Sequence, residues 1–253
     1  MDQKLIDLVR QAGQLALSEQ KNMVISIKKD QSIVTTGDIA VSQYLEIELK
    51  KLYPEYEIFS EENSGVQPVG EKVIVIDPID GTQSYSRNED TWTILIGFLD
   101  KGIPVKGLVY QPTTERLWIG EKGKGSFYVH PDNTESRLMT NFSEGKLKAW
   151  TSPTLDSEDK LLDKLNITDR EMSYSASLKI MHLSEADGDI YPNFRCKCSL
   201  WDLVAPLVIL NEAGGELVFE KYDSLPINFI NPHINSKFYA VGQKMKHINY
   251  FKS

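Results

Sequence analysis

Four places in this 253-residue chain put carboxylates where a hard cation could use them. In the segment Asp77-Pro78-Ile79-Asp80-Gly81-Thr82, two acids follow directly on the apolar run 73–76. Pro78 stiffens the connection and removes a backbone donor, Gly81 permits tight backbone geometry, and Thr82 adds a hydroxyl. Two acids at the exit of a buried strand repel each other and are costly to desolvate, and a divalent cation offsets both effects. Asp, Pro and Gly are also ordinary turn residues, so the segment alone reads equally as a turn. Glu61-Glu62 follows the apolar pair Ile58-Phe59 and, taken alone, is a solvated surface pair. Asp202 opens an apolar helix, where an acid suits the positive end of the helix dipole. Asp38, in Thr35-Thr36-Gly37-Asp38, precedes a second helix, where it suits an N-cap. None of the histidines (His130, His182, His233, His247) falls in these places. An all-oxygen ligand set favours Mg²⁺, with Mn²⁺ as a substitute, over zinc.

The elements that must carry these acids are legible from periodicity. Leu5, Leu8, Val9, Ala12, Leu15 and Ala16 recur at helical spacing, as do Val41, Tyr44, Leu45, Leu49 and Leu52 before Pro54. Residues 73–76, 92–98, 105–110, 116–119 and 126–129 read as successive strands with turn-rich separators, which predicts an antiparallel meander flanked by the two helices. Beyond residue 145, strands at 148–151, 189–191, 216–219 and 238–241 alternate with helices near 157–165, 178–186 and 201–213, an α/β pattern. The polar stretch 131–145 separates the two styles. It divides the chain into an N-terminal unit, 1–140, with the metal motif, and a C-terminal unit, 141–253, with substrate-specificity elements. Trp92, Trp118 and Trp150 are read as core residues.

Composition narrows the function classes. With 41% hydrophobic and 25% charged residues the chain has a globular balance, and a net charge of −8 argues against a nucleic-acid polymer as partner. No run approaches a membrane span, and no secretory signal pattern opens the chain. Cys196 and Cys198 provide neither a disulfide framework nor a zinc set, so a reducing, cytoplasmic location is expected.

Together, Asp38 in its Thr-Thr-Gly-Asp setting, Ser60-Glu61-Glu62, the hexapeptide 77–82, Trp201-Asp202 and Glu212-Ala213-Gly214-Gly215 resemble the inositol monophosphatase superfamily of lithium-sensitive, magnesium-dependent phosphatases. Their order and approximate spacing match over nearly the whole chain. The resemblance implies an α+β fold layered as an αβαβα sandwich, usually homodimeric. It implies two or three Mg²⁺ ions: one on Glu61, Asp77 and the Ile79 carbonyl, a second on Asp77, Asp80 and Asp202, and a weaker third near Glu61. It makes Asp38, Thr82 and Glu61 the catalytic candidates, with Thr82 hydrogen-bonded to Asp38 to activate water and the N–H groups of Gly81 and Thr82 cradling phosphate.

Within the superfamily the second half is most similar to the bacterial 3′(2′),5′-bisphosphate nucleotidases. The similarity is carried by Ser177-Leu178-Lys179 and by Ala186-Asp187-Gly188-Asp189-Ile190-Tyr191-Pro192. This implies that Ser177 and Lys179 meet the nucleotide's phosphate. Two positions depart from that group. Gln83 stands where a lysine is usual, and Asn193 where an arginine is usual, with Arg195 two residues later. The expected substrate is therefore a small phosphate ester, 3′-phosphoadenosine 5′-phosphate first and an inositol or sugar phosphate second. A catalytically silent metal- or phosphate-binding regulator is the reading outside enzymes. The substrate-facing candidates are Gly81, Thr82, Ser177, Lys179, Asn193, Arg195 and Asp202. The segment 21–36, leading into Asp38, is a candidate gating loop.

Overall fold

The computed structural model describes residues 2–28, 31–141, 145–153, 156–246 and 251. Residues 29–30 of the 21–36 segment, residues 142–144 of the 131–145 stretch, and His247 lie outside the described residues. The elements run α1 (Gln3–Gln20), β1 (Ile25–Ile27), β2 (Ile33–Thr35), α2 (Thr36–Leu52), β3 (Glu57–Ser60), a 3₁₀ turn (Glu61–Asn63), β4 (Lys72–Asp80) and α3 (Thr82–Ser86). Next come β5 (Thr93–Asp100), β6 (Ile103–Gln111), β7 (Arg116–Glu121), β8 (Gly125–Val129), β9 (Glu135–Arg137), β10 (Lys148–Thr151) and α4 (Asp156–Lys164). The chain continues through β11 (Asp169–Met172), α5 (Ala176–Ser184), β12 (Ile190–Asn193), α6 (Leu200–Glu212), β13 (Glu216–Phe219) and β14 (Phe238–Val241).

Strands β3 to β9 form one seven-stranded sheet in chain order. It is the expected antiparallel meander from β4 onward, with β3 added in parallel at its edge. A five-stranded sheet follows, in the order β11-β10-β12-β14-β13. Its β10–β11 and β10–β12 pairs are parallel, whereas β14 runs antiparallel to both neighbours, so the second half is a mixed sheet.

Alternation along each strand builds the layers, because successive side chains face opposite ways. Ile74, Ile76, Ile94 and Ile96 join α1 and α2 in one core, while Val73, Val75, Leu95 and Val109 join α5 and α6 in another. Trp150, Tyr191, Phe238 and Ala240 of the second sheet reach that same second core from its far side. Ala149, Ile190, Tyr239 and Val241, which alternate with them, pack under Leu161 and Leu162 of α4. The result is an αβαβα sandwich. Helix α6 is apolar nearly all round because it lies between two sheets. One core thus spans the units 1–140 and 141–253.

Three mid-strand glycines let α6 lie close to the first sheet. Gly97, Gly107 and Gly120 are cross-strand neighbours on β5, β6 and β7. A Cβ at Gly107 would stand 2.2 Å from the Ala205 carbonyl oxygen, and one at Gly97 would stand 2.4 Å from Val204. The row therefore fixes the height of α6, whose first turn carries Asp202, above the strands that carry Asp77 and Asp80. At the other end, both oxygens of Glu212 accept from the N–H groups of Gly123 (2.9 Å) and Gly125 (2.8 Å), tying α6 to the β7–β8 turn.

Candidate metal centre

Strand β4 runs through the hexapeptide instead of stopping before it, ending at Asp80. On a regular strand, residues three apart face opposite sides of the sheet. Here Asp77 pairs opposite Leu95 and Asp80 opposite Thr93, so three steps on β4 match two on β5. This β-bulge turns both carboxylates to the α5/α6 side. Pro78 sits in it, where a missing N–H costs no ladder hydrogen bond. Gly81 then takes φ 93°, with the Thr91 carbonyl 2.8 Å from where a Cβ would be, and the chain enters α3. No side chain fits there without strain.

Asp202 arrives from above. It is the third residue of α6 in a capping box with Ser199, whose backbone N–H donates to Oδ2 at 2.5 Å. Each of Asp77, Asp80 and Asp202 offers an oxygen within 4.8 Å of the others. Burial, with the charges of Glu61, Asp202 and Asp80 adding to it, pushes the Asp77 carboxyl well above the usual range. Burial and the charges of Asp80 and Glu61 do the same to Asp202. These hard oxygen donors, confined together and costly to ionise without a cation, fit a divalent ion of the magnesium type.

Glu61 opens the 3₁₀ turn after β3. Burial raises its carboxyl to about 7, against the pull of Lys28. The Lys28 ammonium, just beyond β1, sits 2.8 Å from Glu61 Oε1 and 2.7 Å from Glu62 Oε1. Burial lowers the Lys28 pKa, but the two acids outweigh it and the net shift is upward. A cleft of about 620 Å³ beside the pair is lined in part by Lys28, Glu46, Glu61, Glu62 and Asn63.

Asp38 is the N3 residue of α2 rather than its N-cap. Thr35 is the cap, and Asp38 Oδ2 accepts from the Thr35 N–H (2.8 Å) and hydroxyl (2.6 Å) in a capping box. Its other oxygen, Oδ1, faces Thr82 Oγ1 at 3.3 Å, and the Ile79 carbonyl stands 3.1 Å from the same hydroxyl. Burial raises Asp38 to about 6, against the hydrogen bonds from Thr35.

The candidates from the second half lie deeper. Ser177 is fully buried, and its hydroxyl meets Asp80 Oδ2 (2.5 Å) and Thr93 Oγ1 (2.7 Å). Lys179 is 1% exposed rather than solvated. Its ammonium donates to Ser152 Oγ (2.8 Å) and the Ser173 carbonyl (2.9 Å), over the Tyr191 ring, and burial lowers it to about 8. The Asn193 amide donates to Tyr191 Oη (2.6 Å) and Cys198 Sγ (3.2 Å). Arg195 is half-buried, and its charge acts on both Lys179 and Glu158. Cys196 and Cys198 are free thiols.

The fold therefore brings Asp77, Asp80 and Asp202 together, and joins Asp38 to Thr82. Sequence reasoning missed Lys28, Thr35, Ser175 and Ser199. Thr35 and Ser199 were recoverable, because each stands three residues before an acid at a helix start. Nothing local to Lys28 or Ser175 marks its partner, which is distant in the chain.

The family model for the inositol monophosphatase family matches residues 1–234. A 3′(2′),5′-bisphosphate nucleotidase of Aggregatibacter actinomycetemcomitans is 26% identical over 91% of this chain and 90% of its own length. Human inositol monophosphatase 2 is 30% identical over 85% of this chain and 79% of its own. The solved structure of a Thermotoga maritima IMPase superposes with a TM-score of 0.81 at 22% identity, covering 97% of this chain and 94% of that one. The chain belongs to the inositol monophosphatase family, whose members are metal-dependent phosphatases.

Proposed function

We propose that this chain hydrolyses 3′-phosphoadenosine 5′-phosphate, a 3′(2′),5′-bisphosphate nucleotide, to AMP and phosphate with Mg²⁺ as cofactor. The observation that carries the phosphatase chemistry is the convergence of Asp77, Asp80 and Asp202 beside the Thr82–Asp38 pair. In this reading Asp77, Asp80 and Asp202 hold one ion, and Glu61, Asp77 and the Ile79 carbonyl hold another, with Mn²⁺ able to substitute. When bound, the ions supply Lewis acidity that makes water a competent nucleophile near neutral pH and neutralises charge on the leaving oxygen. The rest belongs to the chain. The Thr82 hydroxyl has one proton and two acceptors, Asp38 Oδ1 and the Ile79 carbonyl. When it donates to Asp38, an Oγ1 lone pair is left to accept a hydrogen bond from water, and as that water's proton moves to Oγ1 the threonine's own proton passes to Asp38, so Thr82 stays neutral. Asp38 therefore works as the anion, and the capping box fixes its orientation. Gly81 and Thr82 present their backbone to the phosphate.

The nucleotide assignment is supported by the nucleotidase relative, which aligns over nine-tenths of this chain, and by the cations Lys179 and Arg195 on the second-half side of the site. Lys179, bonded to Ser152 and Ser173, acts through the shape of that wall and through its charge, which reaches Asp80. Asn193 favours a second reading, an inositol or sugar monophosphatase, because a buried amide replaces a cation there. Phosphate release from 3′-phosphoadenosine 5′-phosphate, inositol 1-phosphate and fructose 1,6-bisphosphate, side by side in Mg²⁺, separates the two. A large preference for either sugar ester would sink the nucleotide reading. A homodimer in the cytoplasm is part of the same proposal, and sizing the purified chain in solution tests the dimer.

A further inference from the structure

Each of the three clustered acids has one carboxylate oxygen anchored by the chain. Asp77 Oδ1 accepts from the Ile79 N–H of its own strand (3.0 Å), and Asp202 is anchored by Ser199 at the start of its own helix. Asp80 is anchored across the layers. Its Oδ2 accepts from the Ser175 hydroxyl (2.6 Å), the Ser177 hydroxyl (2.5 Å) and the Ser177 N–H (3.1 Å), all at the start of α5. Ser177 also touches Thr93 Oγ1, and Thr93 is the residue paired opposite Asp80 on β5. Each hydroxyl has a single proton. Ser175 and Ser177 commit theirs to Asp80, so the Thr93 hydroxyl donates to Ser177. Three donors on Oδ2 leave Oδ1 as the Asp80 oxygen available to a cation.

We propose that Ser177, supported by Ser175 and Thr93, is a positioning residue that orients Asp80 for the cation, and is not a contact for the substrate. The inference rests on the reading of Asp77, Asp80 and Asp202 as a metal site. Its physical basis is the repulsion among three clustered acids, which drives Asp80 away from Asp77 and Asp202 unless a fixed donor set holds it. The donors come from α5, which packs against α6 in the shared core, so Ser177 also sets Asp80 relative to Asp202.

Titration calorimetry of the metal-stripped chain with Mn²⁺, run on wild type, Ser177→Ala, Thr93→Val and Asp80→Asn, tests this. Asp80→Asn identifies the ion that depends on Asp80. Ser177→Ala weakens that ion by about tenfold or more, within the range for lost partners of metal ligands. The Mn²⁺ concentration for half-maximal turnover rises in step, while the substrate KM at saturating Mn²⁺ stays unchanged. Thr93→Val, which removes only the proton donated to Ser177, weakens the same ion by a smaller factor and serves if Ser177→Ala does not fold. Unchanged Mn²⁺ binding with a raised substrate KM returns Ser177 to the substrate and overturns the proposal. A lowered Tm with unchanged Mn²⁺ binding overturns it as well. If wild type binds no Mn²⁺, the metal-site reading falls first, and this inference with it.

Discussion

Stripped of metal, the chain should become more stable as the solution is acidified from about pH 7.5 to about pH 5.5, the reverse of ordinary acid destabilisation. Burial holds Asp38 at about 6 against an ordinary 3.8, and Glu61 at about 7 against 4.5. The same cause holds Asp77 and Asp202 well above 3.8. A carboxyl whose pKa is raised by folding keeps its proton where the unfolded chain has released it. Its stabilisation is present at low pH and is lost as pH rises through the folded value. For Asp38 and Glu61, linkage gives a gain of about 2–3 kcal/mol over this window, and Asp77 and Asp202 add in the same direction. His182, held by burial at about 4 against an ordinary 6.5, opposes them by about 1 kcal/mol, so the net change stays a gain. Urea unfolding followed by tryptophan fluorescence, in chelator and across this pH range, reads it directly. Glu61→Gln removes about 2 kcal/mol of the slope. Saturating Mg²⁺ reverses the sign, because a cation favours the ionised carboxylates and is released as they protonate. A chelated chain that loses stability on acidification over this window, or a Glu61→Gln slope equal to wild type, would refute the reasoning.

Other substitutions test other links. Gly107→Ala places a methyl 2.2 Å from the Ala205 carbonyl oxygen and should cost about 2–3 kcal/mol in urea unfolding as α6 is pushed off the sheet. Thr82→Val removes the hydroxyl that faces Asp38 and should lower kcat by about 100-fold or more with little change in Tm. Glu212→Ala frees two backbone donors of the β7–β8 turn and should cost about 2 kcal/mol. Turnover per folded molecule should stay within about twofold, which distinguishes a structural clamp from a ligand.

Most of the architecture was legible because it rests on local pattern. The 3.6-residue spacing of Leu5 to Ala16 marked α1, and the apolar runs at 105–110 and 126–129 marked β6 and β8. The acids were legible for a related reason, since a carboxylate directly after an apolar strand is physically awkward unless something uses it. What escaped was set by pairing across the chain. The apolar pattern ends β4 at residue 76, because aspartate is a poor strand former, yet the bulge opposite Thr93 carries the strand to Asp80. Lys28 meets Glu61 only when the β1–β2 hairpin folds over the 3₁₀ turn, 33 residues away in sequence. The resemblance carried by Ser177-Leu178-Lys179 implies a substrate contact for Ser177 and says nothing of Asp80. The bond from Ser177 to Asp80 spans 97 residues and has no local signal. Gly97, Gly107 and Gly120 were readable as unusual mid-strand glycines, the mark of a close backbone approach, but not as the seat of α6.

The bulge on β4 turns Asp77 and Asp80 to one side, beneath Asp202, and the proposed metal site rests on that convergence. Replacing Asp80 by Asn keeps the shape and removes one charge, and Mg²⁺-dependent phosphate release is the measurement that reads the consequence. Loss of turnover to background, with cooperative unfolding retained, is the predicted result. Turnover at the wild-type level would contradict the assignment of these three acids as the metal site.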